Sequence, residues 1–276
     1  MKKRRADQAL YEDLNLESLK MAQALIMEGR VMAGDRKILR ISEPLREGDV
    51  LRVRGQIDAY VSRGAHKLKK ALEVFPIDIK GRVCLDVGAS TGGFTDVMLR
   101  AGAARVYSVD VGYNLLDYRL RSDERVVCME RTNARFIKPE DFDPRPVFGA
   151  TDVSFISLKA VLPAALSALE GEDAAFVALV KPQFEAPRED VGEKGVVRDP
   201  EVHKRVLLDI ARFIPTLGWT LAGVDFSPIR GPEGNIEFLY FMCRRQNIVT
   251  NVNENTIIVT IERAYDNFLK SYKEGL

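Results

Sequence analysis

Four charged residues stand where charge is out of place. Asp152 closes an apolar run in Ala150-Thr151-Asp152-Val153-Ser154-Phe155, and Lys181 closes the next one in Val177-Ala178-Leu179-Val180-Lys181-Pro182. Glu237 opens a third run, Asn235-Ile236-Glu237-Phe238-Leu239-Tyr240-Phe241, and Lys67 opens a helical pattern after Ser62-Arg63-Gly64-Ala65-His66. In an open α/β sheet the carboxyl ends of the strands face the ligand crevice, so Asp152 and Lys181 are expected at that edge. Two ammonium groups and two carboxylates gathered there fit chemistry on a weak nucleophile such as a ribose hydroxyl, which needs a base near its proton. A lysine can be that base if a neighbouring cation or partial burial lowers its pKa. The acids would then hold both ammonium groups in position, and no metal is demanded. Singly, each residue also reads as an ordinary solvated charge. The convergence is what points to a site.

A second constellation lies upstream. Cys84-Leu85-Asp86-Val87-Gly88-Ala89-Ser90-Thr91-Gly92-Gly93-Phe94 runs from a hydrophobic strand through small residues into a helix, which lets a cofactor approach the backbone closely. Asp110 ends the next strand, Arg105-Val106-Tyr107-Ser108-Val109-Asp110, where a carboxylate can accept the two ribose hydroxyls of an adenosine. The spacing Gly88-x-Ser90-x-Gly92-Gly93 is not the G-x-G-x-x-G of a dinucleotide site, and no Lys-Ser/Thr pair marks a P-loop. S-adenosylmethionine needs no pyrophosphate cradle. It needs small residues under its methionine moiety and an acid near the amino group, here Asp86. Phe94 completes the loop, and Asn133 falls where an adenine contact would, although such a residue often just makes a turn. A strand-to-helix turn that binds nothing is the bland alternative, and a nicotinamide cofactor fits less well.

The elements that must position these residues alternate. Apolar runs at 83–87, 106–111, 126–129, 147–153, 175–180, 221–226 and 238–243 predict seven strands, several apolar throughout as when helices cover both faces. Helical spacing fills 67–74, 94–101, 157–169 and 202–217. The expected fold is therefore α/β, a Rossmann-like and mostly parallel sheet. Ahead of it, residues 1–58 read as a small α+β unit: helices over 7–14 and 18–28, with Ser18 as N-cap, then short strands at 31–33, 37–41 and 50–54. Residues 55–59 read as a linker, and 247–276 as a helical extension, with Ile257, Ile258, Ile261, Ala264, Tyr265, Phe268 and Leu269 at helical spacing.

Net charge is +1, so distribution matters more than sum. The first five residues carry four cations, and Arg36, Lys37, Arg40, Arg46, Arg52 and Arg54 follow, yet residues 1–58 also hold ten acids. Three distant cysteines, Cys84, Cys128 and Cys243, lie in apolar runs and suggest neither a disulfide frame nor a zinc site, which fits a reducing cytoplasm. No apolar run approaches the roughly 18–20 residues a membrane helix needs.

Residues 60–68 (YVSRGAHKL), 83–94 (VCLDVGASTGGF), 151–155 (TDVSF), 179–184 (LVKPQF) and 231–240 (GPEGNIEFLY) resemble the TlyA family. Its members are S4-domain ribosomal-RNA 2′-O-methyltransferases, often labelled hemolysins, with a catalytic domain related to FtsJ (RrmJ). The resemblance covers roughly residues 4–245 and stops short of the tail. It implies a catalytic tetrad at Lys67, Asp152, Lys181 and Glu237. Lys181 would be the central base or orienter of the 2′-hydroxyl, Asp152 its partner near the methyl donor, and Lys67 and Glu237 the rest of the network. Residues 5–54, with Arg5-Ala6-Asp7-Gln8-Ala9-Leu10 and then AQALIMEGRV, resemble an S4 RNA-binding module. The implied domains are 1–58, S4-like; 59–246, methyltransferase; and the extension 247–276. The implied partner is ribosomal RNA or a ribosomal subunit, held through phosphates and shape, with Arg4, Arg5, Arg36, Lys37 and Arg63 as candidate contacts. Residues 185–199 follow Lys181 and read either as a mobile lid or as a plain surface loop. Two rival functions remain at this point: a ribosome-associated RNA-binding protein whose methyltransferase fold no longer turns over, and a membrane-active hemolysin.

Overall fold

The chain folds as two units, Met1–Ala59 and Tyr60–Leu276, in a computed structural model that describes residues 4–14, 16, 19–27, 29–54, 60–231, 233–244 and 250–273. The expected N-cap Ser18 and the linker 55–59 lie outside the described residues.

In the first unit, Ala6, Ala9 and Leu10 form one buried stripe on α1 (Ala6–Asp13), and Ala22, Leu25 and Ile26 form another on α2 (Leu19–Met27). These stripes close on one small core with Val31, Ala33, Ile38 and Leu51. The strands are short: β1 (Val31–Ala33) lies between β2 (Arg36–Lys37) and β3 (Leu51–Val53), antiparallel to both. Gly34, at φ +61°, makes the β1–β2 turn that a side chain would strain. The strand expected over 37–41 pairs only at its start.

The second unit is a seven-stranded sheet with helices on both faces. Its strands are β4 (Val83–Val87), β5 (Arg105–Val109), β6 (Val126–Met129), β7 (Phe148–Thr151), β8 (Ala175–Val180), β9 (Thr220–Phe226) and β10 (Phe238–Cys243). Their order is β6-β5-β4-β7-β8-β10-β9. Only β10 runs against its neighbours, with Phe238 opposite Val180 and Cys243 opposite Ala175. That reversal brings the beginning of β10 to the edge where the other strands end. The helices are α3 (Ala65–Val74), α4 (Gly93–Arg100), α5 (Tyr118–Arg121), α6 (Leu158–Ala168), α7 (Pro182–Glu185), α8 (Pro200–Phe213) and α9 (Glu254–Lys273).

The helix expected over 202–217 breaks after Phe213 into a 3₁₀ turn, Ile214–Leu217, because Pro215 has no N–H for the α-helical ladder. Helix α9 buries Ile257, Ile261, Ala264 and Phe268 in the sheet's main core, so Glu254–Lys273 is part of the second unit's packing.

Candidate active site

The glycine loop takes its shape from three positive-φ turns. Gly88 sits at φ +83° just after β4, and a Cβ there would stand 3.0 Å from Val153 Cγ1 and 3.2 Å from the Asp152 carbonyl oxygen. The N–H groups of Gly88 and Ala89 both donate to the Val109 carbonyl. Ser90, itself at φ +49°, donates its N–H to Asp110 Oδ2 at 2.8 Å. Gly92, at φ +96°, packs elsewhere: a Cβ there would come within 2.2 Å of Leu120, so this glycine admits α5 and stands outside the pocket lining.

The pocket over this loop has a volume of about 320 Å³. Its walls carry Asp86, Gly88, Ser90 and Phe94 from the loop side and Lys67, Asp152, Lys181 and Glu237 from the other. Asp86 is buried; its Oδ2 accepts from Thr95 N at 2.9 Å and Thr95 Oγ1 at 2.7 Å. Its Oδ1 has no hydrogen-bond partner among the described residues, and burial pushes the carboxyl up to about 7. A buried acceptor left open in a pocket beside close-approach glycines fits the amino group of S-adenosylmethionine.

The other wall is a charge network. Lys67 Nζ lies 3.0 Å from Asp152 Oδ2 and 2.8 Å from Glu237 Oε2. Lys181 Nζ lies 2.6 Å from Asp152 Oδ1 and donates to Ser154 Oγ at 2.9 Å. The fold explains the convergence: Asp152 and Lys181 follow β7 and β8, Glu237 precedes the reversed β10, and α3 delivers Lys67. Burial works to lower the pKa of Lys67, but the carboxylates of Asp152 and Glu237 outweigh it and hold that pKa above its ordinary value. Lys67 is therefore not the lysine drawn toward neutrality. Burial likewise works to raise Asp152, yet Lys67 and Lys181 hold it below the usual carboxylate range.

The FtsJ-like methyltransferase family model matches residues 60–244. The 16S/23S rRNA (cytidine-2′-O)-methyltransferase TlyA of Mycobacterium tuberculosis is 53% identical over 67% of this chain and 68% of that protein. The chain belongs to the FtsJ-like methyltransferases, within the TlyA family. A solved structure from Streptococcus thermophilus, described as a candidate hemolysin, is 41% identical, covers 99% of both chains and superposes with a TM-score of 0.79. A structure described as a candidate S-adenosylmethionine-dependent methyltransferase of Listeria monocytogenes is 14% identical. It covers 67% of this chain and 100% of the other at a TM-score of 0.50, a likeness of fold alone.

Against the TlyA pattern the remaining expected residues divide. Asp110 is at the predicted strand end but outside the pocket lining, and both its oxygens already accept backbone N–H groups, from Ser90 and from Gly112 at 2.7 Å. Each keeps a second lone pair for a ribose hydroxyl. Asn133 caps the turn Ala134–Phe136, accepting from Arg135 N at 3.1 Å, and is not part of the lining. Arg63 lines the pocket itself, because it belongs to the turn before α3 and so to the second unit; it is not part of the basic set of residues 1–58. In the first unit, Arg4 pairs with Glu12 and Asp13, Arg5 with Asp7, and Arg36 with Glu43 and Asp49, while Lys37 is exposed.

Ser154 was missed as a site residue. It sits two positions beyond Asp152, so an extended chain sends both side chains to one side, and that spacing was its signal. The segment 185–199 is tied down at several points. Glu185 accepts from Ser157 Oγ at 2.6 Å and Leu158 N at 2.7 Å, Asp190 pairs with Arg205, and Asn235 holds Val197 N and the Gly195 carbonyl. Among the described residues no helix is long and apolar enough to cross a membrane.

Proposed function

We propose that this chain transfers the methyl group of S-adenosylmethionine to a ribose 2′-hydroxyl of ribosomal RNA in the cytoplasm. The observation that carries the reading is one cavity with a cofactor loop on one side and a buried Lys-Asp-Lys-Glu network on the other. S-adenosylmethionine, when bound, supplies a methyl already activated by its sulfonium centre, so alignment is the protein's main task. Asp86 Oδ1 takes the cofactor's ammonium, Asp110 its ribose hydroxyls, and Gly88 lets the backbone come close. Lys181 orients the 2′-hydroxyl and, after its resting ammonium has released a proton to solvent, takes the hydroxyl proton as the amine. Asp152 and Ser154 fix Lys181 Nζ for that step, and the carboxylate stabilises the ammonium that results. Lys67, held charged, pins the second oxygen of Asp152 while Glu237 anchors Lys67 in turn.

In this reading residues 1–58 are the S4-like module that grips structured RNA. The exposed Lys37 and the solvent edges of Arg4, Arg5 and Arg36 contact phosphates, and Arg63 does so at the pocket. Residues 59–246 form the methyltransferase and 247–276 the extension. The M. tuberculosis relative, named for 16S and 23S rRNA, makes both ribosomal subunits the substrates to try.

The test is labelled methyl incorporation into purified subunits. Lys181→Ala is expected to abolish incorporation while S-adenosylmethionine binding, read by calorimetry, survives. Full activity in that variant would remove Lys181 from the mechanism, and no incorporation by the unsubstituted protein into either subunit would end the whole reading.

A further inference from the structure

Lys67 is not the only lysine of α3 that reaches the sheet edge. Lys70 follows three residues later, on the same side of the helix. Its Nζ donates to the Phe226 carbonyl at 2.6 Å, lies 3.2 Å from Asp225 Oδ2, and stands 3.6 Å from the centroid of the Phe226 ring. Asp225 and Phe226 are the last residues of β9. Phe226 pairs with Phe238 across the sheet, and the next residue, Ser227, donates its N–H to the Glu237 carbonyl at 2.8 Å. The contacts therefore close a ring. Glu237 holds Lys67, Lys67 and Lys70 share α3, and Lys70 grips the strand end that fixes the backbone of Glu237.

The tail adds an outer support to the same strand end. Arg263 of α9 lies 3.7 Å from Asp225 Oδ1 with its guanidinium 5.6 Å from the Phe226 centroid, and the Phe268 ring meets Phe226 edge-on at 6.2 Å. This helix lies beyond residue 244, where the family match stops.

Taking the methyltransferase reading as its base, we infer that Lys70 is a positioning residue for Lys67 and Glu237, and that α9 braces it through Arg263 and Phe268. Ala65, Leu68 and Ala71 hold α3 in the core, but a single tie at Lys67 leaves the helix's residual roll unopposed at the sheet edge. A second tie one turn away removes the roll, so the two carboxylates meet Lys67 in one geometry. Small displacements of this kind act on turnover more than on cofactor affinity, because α3 meets the cofactor loop at its first residue, Ala65 beside Gly93, and Lys70 lies more than a turn further along the helix. A loss of kcat on the order of 10- to 100-fold is the scale expected for a misplacement of about 1 Å.

The experiment compares Lys70→Met, Lys70→Arg and Arg263→Ala in the full chain. It reads kcat and KM for methyl transfer from labelled S-adenosylmethionine to purified ribosomal subunits, cofactor binding by calorimetry, thermal unfolding, and acetylation of Lys67 by acetic anhydride, mapped by mass spectrometry. Lys70→Met is expected to lower kcat by about 10- to 100-fold with cofactor affinity and KM unchanged, and to raise Lys67 acetylation. Lys70→Arg should restore most of both, and Arg263→Ala should show the same pattern several-fold weaker. Unchanged kcat and unchanged Lys67 acetylation in Lys70→Met would overturn the inference. So would a fall in cofactor affinity in step with kcat that Lys70→Arg does not repair, since that is general loss of structure. If the unsubstituted protein transfers no methyl, the methyltransferase reading falls, while the acetylation arm still decides the brace.

Discussion

The cations of the first unit and those at the pocket meet carboxylates in opposite settings. Arg4 pairs with Glu12 and Asp13 with half its side chain in water, whereas the side chains of Lys67 and Lys181 are under a tenth exposed in theirs. An exposed pair contributes little, about 0–1 kcal/mol, so its guanidinium can leave one carboxylate for a phosphate with small loss. A buried pair has no such freedom, because removing one partner strands a charge away from water. The charge of Arg4 is therefore exchangeable, which suits gripping a polyanion, whereas Arg5 is tied to the buried Asp7. Charge at the pocket is fixed in place, which suits chemistry on a single atom.

Asp152→Asn should break the buried side of this contrast most severely. It leaves Lys181 without its carboxylate and Lys67 with Glu237 alone, and is expected to cost about 3–5 kcal/mol of stability, read by denaturant unfolding, together with methyl transfer. The effect carries a pH signature. Asp152 titrates below its ordinary value of about 3.9 in the folded protein, so near that pH the unfolded chain binds more protons than the folded one. The advantage of the unsubstituted protein is then full above about pH 4 and shrinks as acid protonates the carboxylate. A variant as stable as the parent at pH 7 would mean that the network is not bound together by burial.

Asp86→Asn has the opposite sign. With the carboxyl pushed up to about 7, the folded state keeps a proton that the unfolded chain has lost, so stability falls as pH rises from about 4 to 7. Removing the charge should raise the unfolding temperature of the cofactor-free protein above pH 7. The gain should fade toward pH 4, where both forms are neutral. Cofactor affinity should weaken by about 10- to 100-fold, the scale of a hydrogen bond to a charged group. A variant that binds as well as its parent would remove Asp86 from the cofactor site.

Gly88→Ala tests whether the loop's geometry matters apart from its charge. The left-handed conformation alone costs a residue with a side chain about 1–3 kcal/mol, and the new Cβ would press on Val153 and the Asp152 carbonyl. Loss of cofactor binding with a lowered unfolding temperature is expected. Tight binding by this variant would show that close approach of the loop backbone is dispensable.

Much of this site was legible in the sequence, for reasons that can be named. Asp152, Lys181 and Glu237 betrayed themselves as charges bordering apolar strands, and the reversal of β10 that unites them follows from pairing with β8. The long strands were recovered to within two residues at each end because apolar runs of that length have few alternatives, with the run 147–153 forming a strand only over Phe148–Thr151. The one-turn helices α5 and α7 were not, since four residues carry no period to detect. Partner choice was also hidden. Nothing in the spacing of Gly92 told that it packs against Leu116 and Leu120, or that Arg63 faces the pocket while Arg36 faces Glu43 and Asp49. Such assignments depend on contacts between distant segments, which local pattern does not encode.

Arg36→Ala should show the smallest effect and completes the contrast. Arg36 bridges Glu43 and Asp49 with its side chain partly in water. Losing both contacts is expected to cost the first unit no more than about 1 kcal/mol, read by unfolding, and that cost should shrink as salt screens the pairs. The two acids it leaves behind remain hydrated and partly satisfied, since Asp49 still accepts from Arg46 N and Glu43 from Leu39 N. Binding to ribosomal RNA should weaken modestly, with a shallower dependence on salt, as one phosphate contact is lost. A stability loss matching that of Asp152→Asn, unmoved by salt, would show that Arg36 is locked in place like Lys67. The charge of Arg36 would then not be exchangeable, and the first unit's assignment as the RNA-gripping half would have to rest on Arg4, Lys37 and shape.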